Sequence, residues 1–427
     1  MSVADLVIGR LSLLRIAVLE ADRAGSHWVK LAELRASWTA IVLSLLKSFL
    51  LSVDGRIVLL ADGIKAPKTG RKMPGVKKLH QQSQNNSKPE YIFGHSCQSI
   101  AVVAHAAASF LAVPLATTIH EGVVFSNRDK RTLLDKLVLL LASLAITIPA
   151  YLVADRYYAS AKVIIPLLKS GQHLITAARS NAVAYLPAPQ MKNKGRGRPR
   201  KYGAKIQLKQ LFKDRHLFVS APSPVYGERE VEILYRTTDL YWRPVGRLVR
   251  FVSVIHPIRG NMTFMSTDVS LDALEVVRCY GVRFKIEVTF KQAVHSVGTF
   301  CYHFWMSGMD WRPNRSGNQH VHHKSDAYRA QVRRKLAAYE CHLQVGTIAQ
   351  GMLQMLSILH AQTVWWRFGS WLRTIRPGVA PSEGVVSLAL RQCLPEFLAA
   401  NNNTNPLAKF ITQNLDLDRA EGWHLAS

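Results

Sequence analysis

The chain has 427 residues, 48% of them hydrophobic, which is enough for a sizeable buried core and excludes an intrinsically disordered protein. Lysine and arginine number 55 against 28 aspartates and glutamates, so the formal net charge at pH 7 is +27. A cationic surface around a real core favours a polyanionic partner, with nucleic acid ahead of a membrane.

Cysteine usage and the N-terminus indicate a reduced compartment. The five cysteines are scattered, odd in number and never in C-x-x-C spacing, so they predict neither a disulfide framework nor a zinc site. The first residues lack the basic start and apolar centre of a secretory signal. We therefore expect a cytoplasmic protein.

The predicted elements begin with helices and continue as a mixed α/β unit. Strands interleaved with helices indicate a sheet that is covered on its faces. In chain order we predict helices over 6–20 and 38–51, a strand over 57–61, a basic loop over 63–78, strands over 91–103 and 110–125, a helix over 132–145, a strand over 151–154, a helix over 160–170 and a strand over 173–178.

One apolar run, residues 137–154, is long enough to imitate a membrane span of about 18 residues. Pro149 divides it into a helix-like part that begins near Asp135 and a strand-like part that stops at Asp155. A buried helix followed by a buried strand explains the run without lipid. We therefore predict no contact with a membrane.

Composition shifts after this unit. Residues 186–206 are dominated by proline, glycine, lysine and arginine, which predicts a loop or linker. Strands are predicted over 231–237, 248–256 and 262–266, and a helical segment carrying Glu287 follows them. From about residue 305 the pattern is helical with long polar interruptions.

Two aspartates follow predicted strands directly, Asp62 after residues 57–61 and Asp155 after 151–154. Adjacent strand ends form a rigid platform, and two or three carboxylates there suffice for a pair of Mg²⁺ ions about 3.5 to 4 Å apart. Aspartate is also an ordinary turn former after a strand. Taken alone, these two residues leave both interpretations open.

A third acid comes with a motif. Tyr280, Arg283 and Glu287 follow the pattern Y-x2-R-x3-E, and on one helix they would share a face. The pattern resembles the tyrosine, arginine and glutamate of the Y-R-E-K signature of DDE transposases from bacterial insertion sequences. Asp62, with its basic glycine-rich loop, resembles the first catalytic aspartate of that family, and Asp155 resembles the second. A solvated or core-facing i, i+4 pair is the alternative.

The resemblance covers about residues 55–300 and implies a ribonuclease-H-like mixed sheet flanked by helices, with a β-rich insertion. It divides the chain into a helical N-terminal region (1–54), the first part of the catalytic domain (55–184), a basic linker with the insertion (185–270), the glutamate-bearing helix of the catalytic domain (271–304) and a helical C-terminal region (305–427).

The same resemblance implies a function. Asp62, Asp155 and Glu287 would ligate two Mg²⁺ ions, with Mn²⁺ as a substitute, for nicking transposon ends and joining them to target DNA. Tyr280 and Arg283 would position phosphates near the cut. The implied partners are double-stranded DNA and a second copy in a homodimeric synaptic complex, in the bacterial cytoplasm at the nucleoid.

One position departs from the family pattern. The signature lysine belongs seven residues after the glutamate, where this chain has Val294. Lys291, one turn past Glu287, or His295 could reach a phosphate instead. A catalytically decayed transposase, or a basic DNA-binding protein without catalysis, is therefore the alternative function.

A second basic motif is independent of the family. The sequence KGRGRPRKY at 194–202 resembles an AT-hook, whose arginines enter the narrow minor groove of A·T-rich DNA. A solvated basic loop that touches phosphates without preference is the alternative. We predict DNA contacts from the loop after Asp62 and from this motif, by Lys72, Arg196, Arg198, Arg200 and Lys201.

Five tryptophans of the C-terminal region could stack on an unpaired base, although core packing is the commoner fate of such residues in a helical region. They are Trp305, Trp311, Trp365, Trp366 and Trp371.

Overall fold

The computed structural model describes residues 31–81, 89–189, 200–369, 375–376 and 378–400. They fall into two compact units. The first takes the described residues of 31–105 and 109–351, and the second takes 106–108 with the described residues from 352 onward. The predicted helix over 6–20 lies outside the described residues.

The α-helices of the described ranges differ widely in length. They are α1 (Leu31–Leu45), α2 (Leu133–Ala142), α3 (Ala161–Lys169), α4 (Ala273–Val282), α5 (Phe284–Gln292), α6 (Asp326–Leu359), α7 (Ala361–Arg367) and α8 (Glu383–Ala400). Shorter turns of 3₁₀ helix lie at Arg156–Tyr158, Leu208–Phe212 and Arg215–Leu217, and a π-helical turn lies at Ala293–Val297.

The strands of the described ranges are concentrated before residue 270. They are β1 (Ser52–Val53), β2 (Arg56–Pro67), β3 (Lys77–His80), β4 (Tyr91–Ala106), β5 (Ser109–Ile119), β6 (Val123–Val124), β7 (Ala150–Ala154), β8 (His173–Ala177), β9 (Val183–Pro187), β10 (Tyr202–Gln207), β11 (Val219–Pro222), β12 (Glu232–Trp242), β13 (Arg247–His256), β14 (Gly260–Ser266) and β15 (Gln319–His320).

Thirteen of the described strands form one mixed sheet. Its main path runs β10-β9-β12-β13-β14-β8-β7-β2-β4-β3, with β1 paired to β2, β5 to β4 and β11 to β12. Strands β2, β7 and β8 are parallel, and β4 is antiparallel to β2. This mixed α/β sheet with flanking helices confirms the predicted fold class and fits a ribonuclease-H-like fold.

The parallel centre of the sheet explains the apolar runs in the sequence. All five residues of β7 are buried, as are residues 57–61 of β2. A parallel sheet with covered faces needs apolar side chains on both sides of each strand. The run over 137–154 is accordingly divided between α2 and β7, and no helix of the described residues is long and apolar enough to cross a membrane.

The strands of the insertion extend the same sheet. β14 pairs antiparallel with β8, where Phe264 faces Ala177 and Ser266 faces Ile175. The prediction of a linker over 186–206 is wrong at both ends, because β9 continues to Pro187, which pairs with Tyr202, and Ile206 of β10 pairs with Ala184 of β9. Residues 190–199, between the two strands, lie outside the described ranges.

Asp62 does not end its strand, contrary to the prediction. β2 continues to Pro67, inside the stretch predicted to be a loop. The reason is that the two strands paired with β2 extend to different points along it. Its parallel pairing with β7 stops at Ala61, but its antiparallel pairing with β4 continues from Asp62, which faces Ser99, to Pro67.

The predicted helix for Tyr280, Arg283 and Glu287 is two helices that meet at Arg283. Tyr280 lies in α4 and Glu287 in α5. Arg283 keeps right-handed helical dihedral angles of φ −51° and ψ −39°, so the chain follows a helical path through the junction. Neighbours four residues apart therefore still meet.

The long helix α6 packs against α1 in the first unit. A Cβ atom at Gly351 would lie 2.4 Å from the indole of Trp38, so only glycine permits this approach. The Trp38 indole N–H donates to the Pro114 carbonyl oxygen at 3.0 Å. In the second unit, the Gln354 amide donates to Glu383 at 2.8 Å. Buried apolar residues of α6, α7 and α8 form a cluster there.

Candidate active site

The two aspartates lie next to each other at one edge of the parallel pairing. Ala61 of β2 and Ala154 of β7 are the last registered pair of these parallel strands. Asp62 and Asp155 each follow directly. Because carboxyl ends of parallel strands meet at the same edge, the register brings together two residues that are far apart in the sequence.

Asp155 is held in a fixed orientation by local hydrogen bonds. It is the N-cap of the 3₁₀ turn Arg156–Tyr158, and its carboxylate accepts the Tyr157 backbone N–H at 2.9 Å. The Thr176 hydroxyl donates to the Asp155 carbonyl oxygen at 2.8 Å. Asp155 therefore has the turn-forming role that aspartate often has after a strand. This role is compatible with its position beside Asp62.

Arg283 links the first aspartate to the glutamate. Its guanidinium donates to Asp62 Oδ2 at 2.7 Å and to Glu287 Oε1 at 2.8 Å. The side chains of Arg283 and Asp62 are each 19% exposed, whereas that of Glu287 is 57% exposed. The structure therefore brings Asp62, Arg283 and Glu287 into one hydrogen-bonded group.

The pKa of Asp62 is raised well above its ordinary range, to about 6. Burial is the largest cause, Arg283 and the Gly63 N–H oppose the rise, and the nearby carboxylates of Asp155 and Glu287 add smaller rises. All three acids therefore interact electrostatically at the site, and Asp62 titrates within reach of neutral pH.

Tyr280 packs beside this group. Its ring lies 4.8 Å from the ring of Phe264 and 5.8 Å from the Arg283 guanidinium. Burial raises the pKa of its hydroxyl, with a smaller rise from Asp155. Tyr280 and Arg283 also line a cavity of about 280 Å³ between the insertion strands and helices α4 and α5.

Tyr158 and Gln98 lie near Asp62, although the sequence did not indicate them as site residues. Burial and the Asp62 charge both raise the pKa of the buried Tyr158, and Gln98 donates to its hydroxyl at 3.3 Å. Gln98 is fully buried, and its Oε1 has no hydrogen-bond partner among the described residues. A glutamine within the largely apolar sequence of β4 was the feature that could have indicated Gln98.

The acids do not form a ready-made metal cage. In the described part of the chain, no group of three or more histidine, cysteine, aspartate or glutamate side chains is arranged to hold a metal ion. Both oxygens of Asp62 already accept hydrogen bonds, one from Arg283 and one from the Gly63 N–H at 2.7 Å. Even so, the donors are carboxylate oxygens, which Mg²⁺ prefers, and a cation would relieve their mutual repulsion.

The predicted DNA-binding residues have different placements. Lys72 is exposed and donates to the Ser307 carbonyl oxygen at 3.1 Å. Lys291 is exposed in the last turn of α5, and Val294 and His295 lie in the π-helical turn that follows.

The basic motif lies far from the acids where it is described. Arg200 and Lys201 are exposed next to β10, which is seven strand positions from β2, or roughly 30 Å across the sheet. Arg196 and Arg198 lie outside the described residues. Arg200 and Lys201 therefore belong to a surface distinct from the acid cluster.

Comparisons with known proteins identify the family of this chain. A solved structure described as a cryo-EM structure of the piggyBac transposase synaptic complex with hairpin DNA is similar over 88% of this chain, with 9% identity and a TM-score of 0.33. This chain spans 60% of the length of that one. A comparison with curated proteins finds no match. A family model described as a transposase DDE domain matches residues 58–295, more than half of the chain, and the protein therefore belongs to the DDE transposase family.

Proposed function

We propose that this transposase cuts transposon ends and joins them to target DNA by metal-dependent phosphodiester hydrolysis and strand transfer. Asp62, Asp155 and Glu287 are the proposed ligands of two Mg²⁺ ions, which Mn²⁺ can replace. We further propose that the protein belongs to the bacterial insertion-sequence group with the Y-R-E-K signature. The five regions defined from the sequence are the proposed domains of the chain.

One observation carries the assignment. Arg283 donates hydrogen bonds to both Asp62 and Glu287, and Asp155 directly follows β7, which pairs in parallel with β2 up to Ala61. These three acids come from three separate segments of the chain. Folding has therefore concentrated negative charge at one sheet edge, in a protein whose net charge is +27. Neighbouring carboxylates repel each other and cost stability unless cations offset their charge, and such clusters are typical of functional sites.

The proposed roles follow from chemistry and position. When bound, two divalent ions supply an activated hydroxyl group and neutralise charge on the phosphate. Arg283 balances the charge of Asp62 and Glu287 and, with Tyr280, orients a phosphate beside the acids. Lys72 and Lys291 are exposed cations for contacts with the DNA backbone.

The proposed partners are double-stranded DNA at the transposon ends and at the target, and a second copy of this chain in a synaptic complex. We place the reaction in the bacterial cytoplasm, at the nucleoid. The net charge of +27 supports a DNA partner, since phosphate neutralisation by lysine and arginine dominates such binding.

Cleavage of DNA that carries the sequences flanking the protein's own gene tests the proposal. We expect cleavage with Mg²⁺ or Mn²⁺, and its loss in Asp62→Asn, Asp155→Asn and Glu287→Gln with DNA binding retained. Asp214→Asn is the control, because Asp214 is 55% exposed and pairs with Arg236 in the insertion.

The outcomes separate the alternatives. Cleavage that survives in all three variants would refute the assignment of the acids. A wild-type protein that binds DNA but cuts nothing with either metal would support a decayed transposase, for which Val294 at the lysine position is the motivating residue.

A further inference from the structure

The segment that follows the Glu287 helix is firmly anchored beside β2. Tyr302, Met306 and Met309 are buried along residues 301–318, although these residues form no long helix or strand. Two backbone bonds tie the segment to the loop after β2: Met306 N–H donates to Lys72 O at 2.9 Å, and Arg312 N–H donates to Arg71 O at 3.0 Å. The two stretches therefore present one continuous surface.

Two tryptophans of this segment point into solvent. Trp305 is 62% exposed and Trp311 is 61% exposed, between the buried anchors. Burial of a tryptophan side chain contributes a large favourable free energy, because its apolar area is large. Two exposed tryptophans on one anchored segment therefore indicate a binding surface. The expectation of core packing fails for both, because alternating methionines occupy the core in their place.

Arginine holds the Trp311 ring in position. The Arg71 guanidinium lies 5.6 Å from the Trp311 ring centroid and 5.3 Å from that of Phe93 on β4. These cation–π contacts keep an indole face beside a positive charge without burying the indole. The arrangement suits a ligand that has both a flat π face and a negative charge.

The charge of the two stretches has one sign. Residues 68–78 contain five lysines and arginines and no acid. Residues 301–318 contain one acid, Asp310, whose carboxylate pairs with Lys324 at 3.1 Å. An acidic protein or a neutral apolar ligand would use only part of this surface, whereas a nucleic-acid strand uses cations and aromatic faces together.

We propose that this surface binds a DNA segment with unpaired bases next to the cut, which deepens and rests on the proposed function. We name it the Trp–Arg surface and define it by Arg71, Lys72, Trp305, Trp311, Arg312 and Arg315. Bases inside a duplex stack on each other and offer no free face, so the tryptophans select unpaired bases while the cations hold phosphates. β2 leads from Asp62 to this surface, its last five residues spanning about 17 Å.

Equilibrium binding to three fluorescent DNAs tests the proposal: a blunt duplex, the same duplex with a single-stranded tail of about ten nucleotides, and the tail alone. We expect Trp305→Ala and Trp311→Ala each to weaken binding of the tailed duplex and of the tail alone about tenfold, in line with loss of one stacked base. Binding of the blunt duplex should change less than about twofold, because the phosphate contacts remain.

Two variants sharpen the result. Trp311→Phe keeps an aromatic face and should restore most of the tail affinity. Trp366→Ala is the matched control, since Trp366 is 76% exposed on α7 of the other compact unit and should not affect tail binding.

Equal losses on blunt and tailed DNA, or no loss on either, would overturn the Trp–Arg surface. Because the assay needs no catalysis, its failure is distinct from failure of the proposed function. Cleavage without tail selectivity would refute only this inference, and tail selectivity without cleavage would refute only the catalytic proposal.

Discussion

Arg283 donates a 2.7 Å hydrogen bond to Asp62, 221 residues earlier in the chain. The same guanidinium donates to Glu287 at 2.8 Å, so one cation joins the acid on the sheet to the acid on the helix. The resemblance to the family signature implied a phosphate-positioning role for Arg283. In the structure its positive charge also offsets the repulsion between two of the proposed metal ligands.

Arg283→Gln should destabilise the protein in a pH-dependent way. The free energy of unfolding should fall by about 1–3 kcal/mol at pH 8, because the partly buried Asp62 carboxylate loses its partner. The pKa of Asp62 is already raised to about 6, and losing Arg283 raises it further. The protonated acid needs no partner, so the loss should be small at pH 5 and should grow as the pH rises through the folded pKa.

Urea unfolding at pH 5 and pH 8 with a chelator present measures this effect. Arg278→Gln is the control, because Arg278 pairs with Glu275 on α4 and both side chains are about one third exposed. We expect that control to cost less than about 1 kcal/mol at either pH. A loss for Arg283→Gln that is the same at both pH values would contradict the electrostatic account.

Val294→Lys should add a DNA contact where the family signature has its lysine. Val294 is 41% exposed, so the new ammonium can reach solvent and phosphate. We expect the slope of log K against log salt to steepen by about 0.9, as one further phosphate contact predicts, and DNA cleavage to increase.

Val288→Lys is the matched control for that change, since Val288 is 42% exposed on α5 and carries no family role. Equal gains in both variants would mean that added charge alone matters. No gain in either would indicate that the π-helical turn at Ala293–Val297 directs position 294 away from DNA.

His95→Gln should flatten the acid sensitivity of the fold. His95 is buried, its Nε2–H donates to the Pro74 carbonyl oxygen at 2.9 Å, and its Nδ1 accepts the Tyr302 hydroxyl at 2.7 Å. Burial lowers the pKa of this imidazole to about 4. The unfolded chain therefore binds the proton more tightly, and the contribution of His95 to stability is full above pH 6.5 and is lost as the pH falls towards 4.

Unfolding free energies at pH 7 and pH 5 measure the effect. The wild-type drop between these values should include about 2 kcal/mol from His95, and this part should vanish in His95→Gln even though the variant is less stable overall. His216→Gln, at an exposed position, should keep the full drop. An unchanged drop in His95→Gln would rule out His95 as the acid-sensitive group.

Replacing Arg196 and Arg198 by alanine should weaken DNA binding and reduce its salt dependence. If both arginines contact phosphates, the slope of log K against log salt should fall by up to about 1.8. Lys209→Ala with Lys213→Ala removes the same charge from exposed positions in the insertion and serves as the control. Unchanged affinity of the arginine variant would make the basic motif a bystander.

Much of the fold was predictable because local patterns agreed with it. The apolar runs at residues 57–61 and 151–154 are strands, since a parallel pair buried on both faces requires such runs. The extension of β2 past Asp62 was not predictable. It depends on pairing with β4, in which Asp62 faces Ser99 and Pro67 faces Gly94, so the backbone of this segment is satisfied by residues far downstream in the chain.

The candidate site shows the same division. Spacing alone placed Arg283 next to Glu287, because residues four apart on a helical path are neighbours. Spacing could not pair Arg283 with Asp62, nor bring Gln98 and Tyr158 to the same edge, because these contacts require the sheet register. Nor did it reveal that Trp305 and Trp311 are exposed, since an irregular segment has no periodicity from which burial can be inferred.

Residue types and local spacing were enough to predict a kind of chemistry and a partner, because three acids, one helical motif and a large positive charge can all be recognised without a fold. Which of these groups meet depends on contacts between distant segments. Strand register brings Asp62 beside Asp155, the α4–α5 junction brings Arg283 between two acids, and buried methionines leave two tryptophans in solvent. Hydrogen-bonded strand pairing and core packing act between segments far apart in the chain, so no local sequence pattern reveals them.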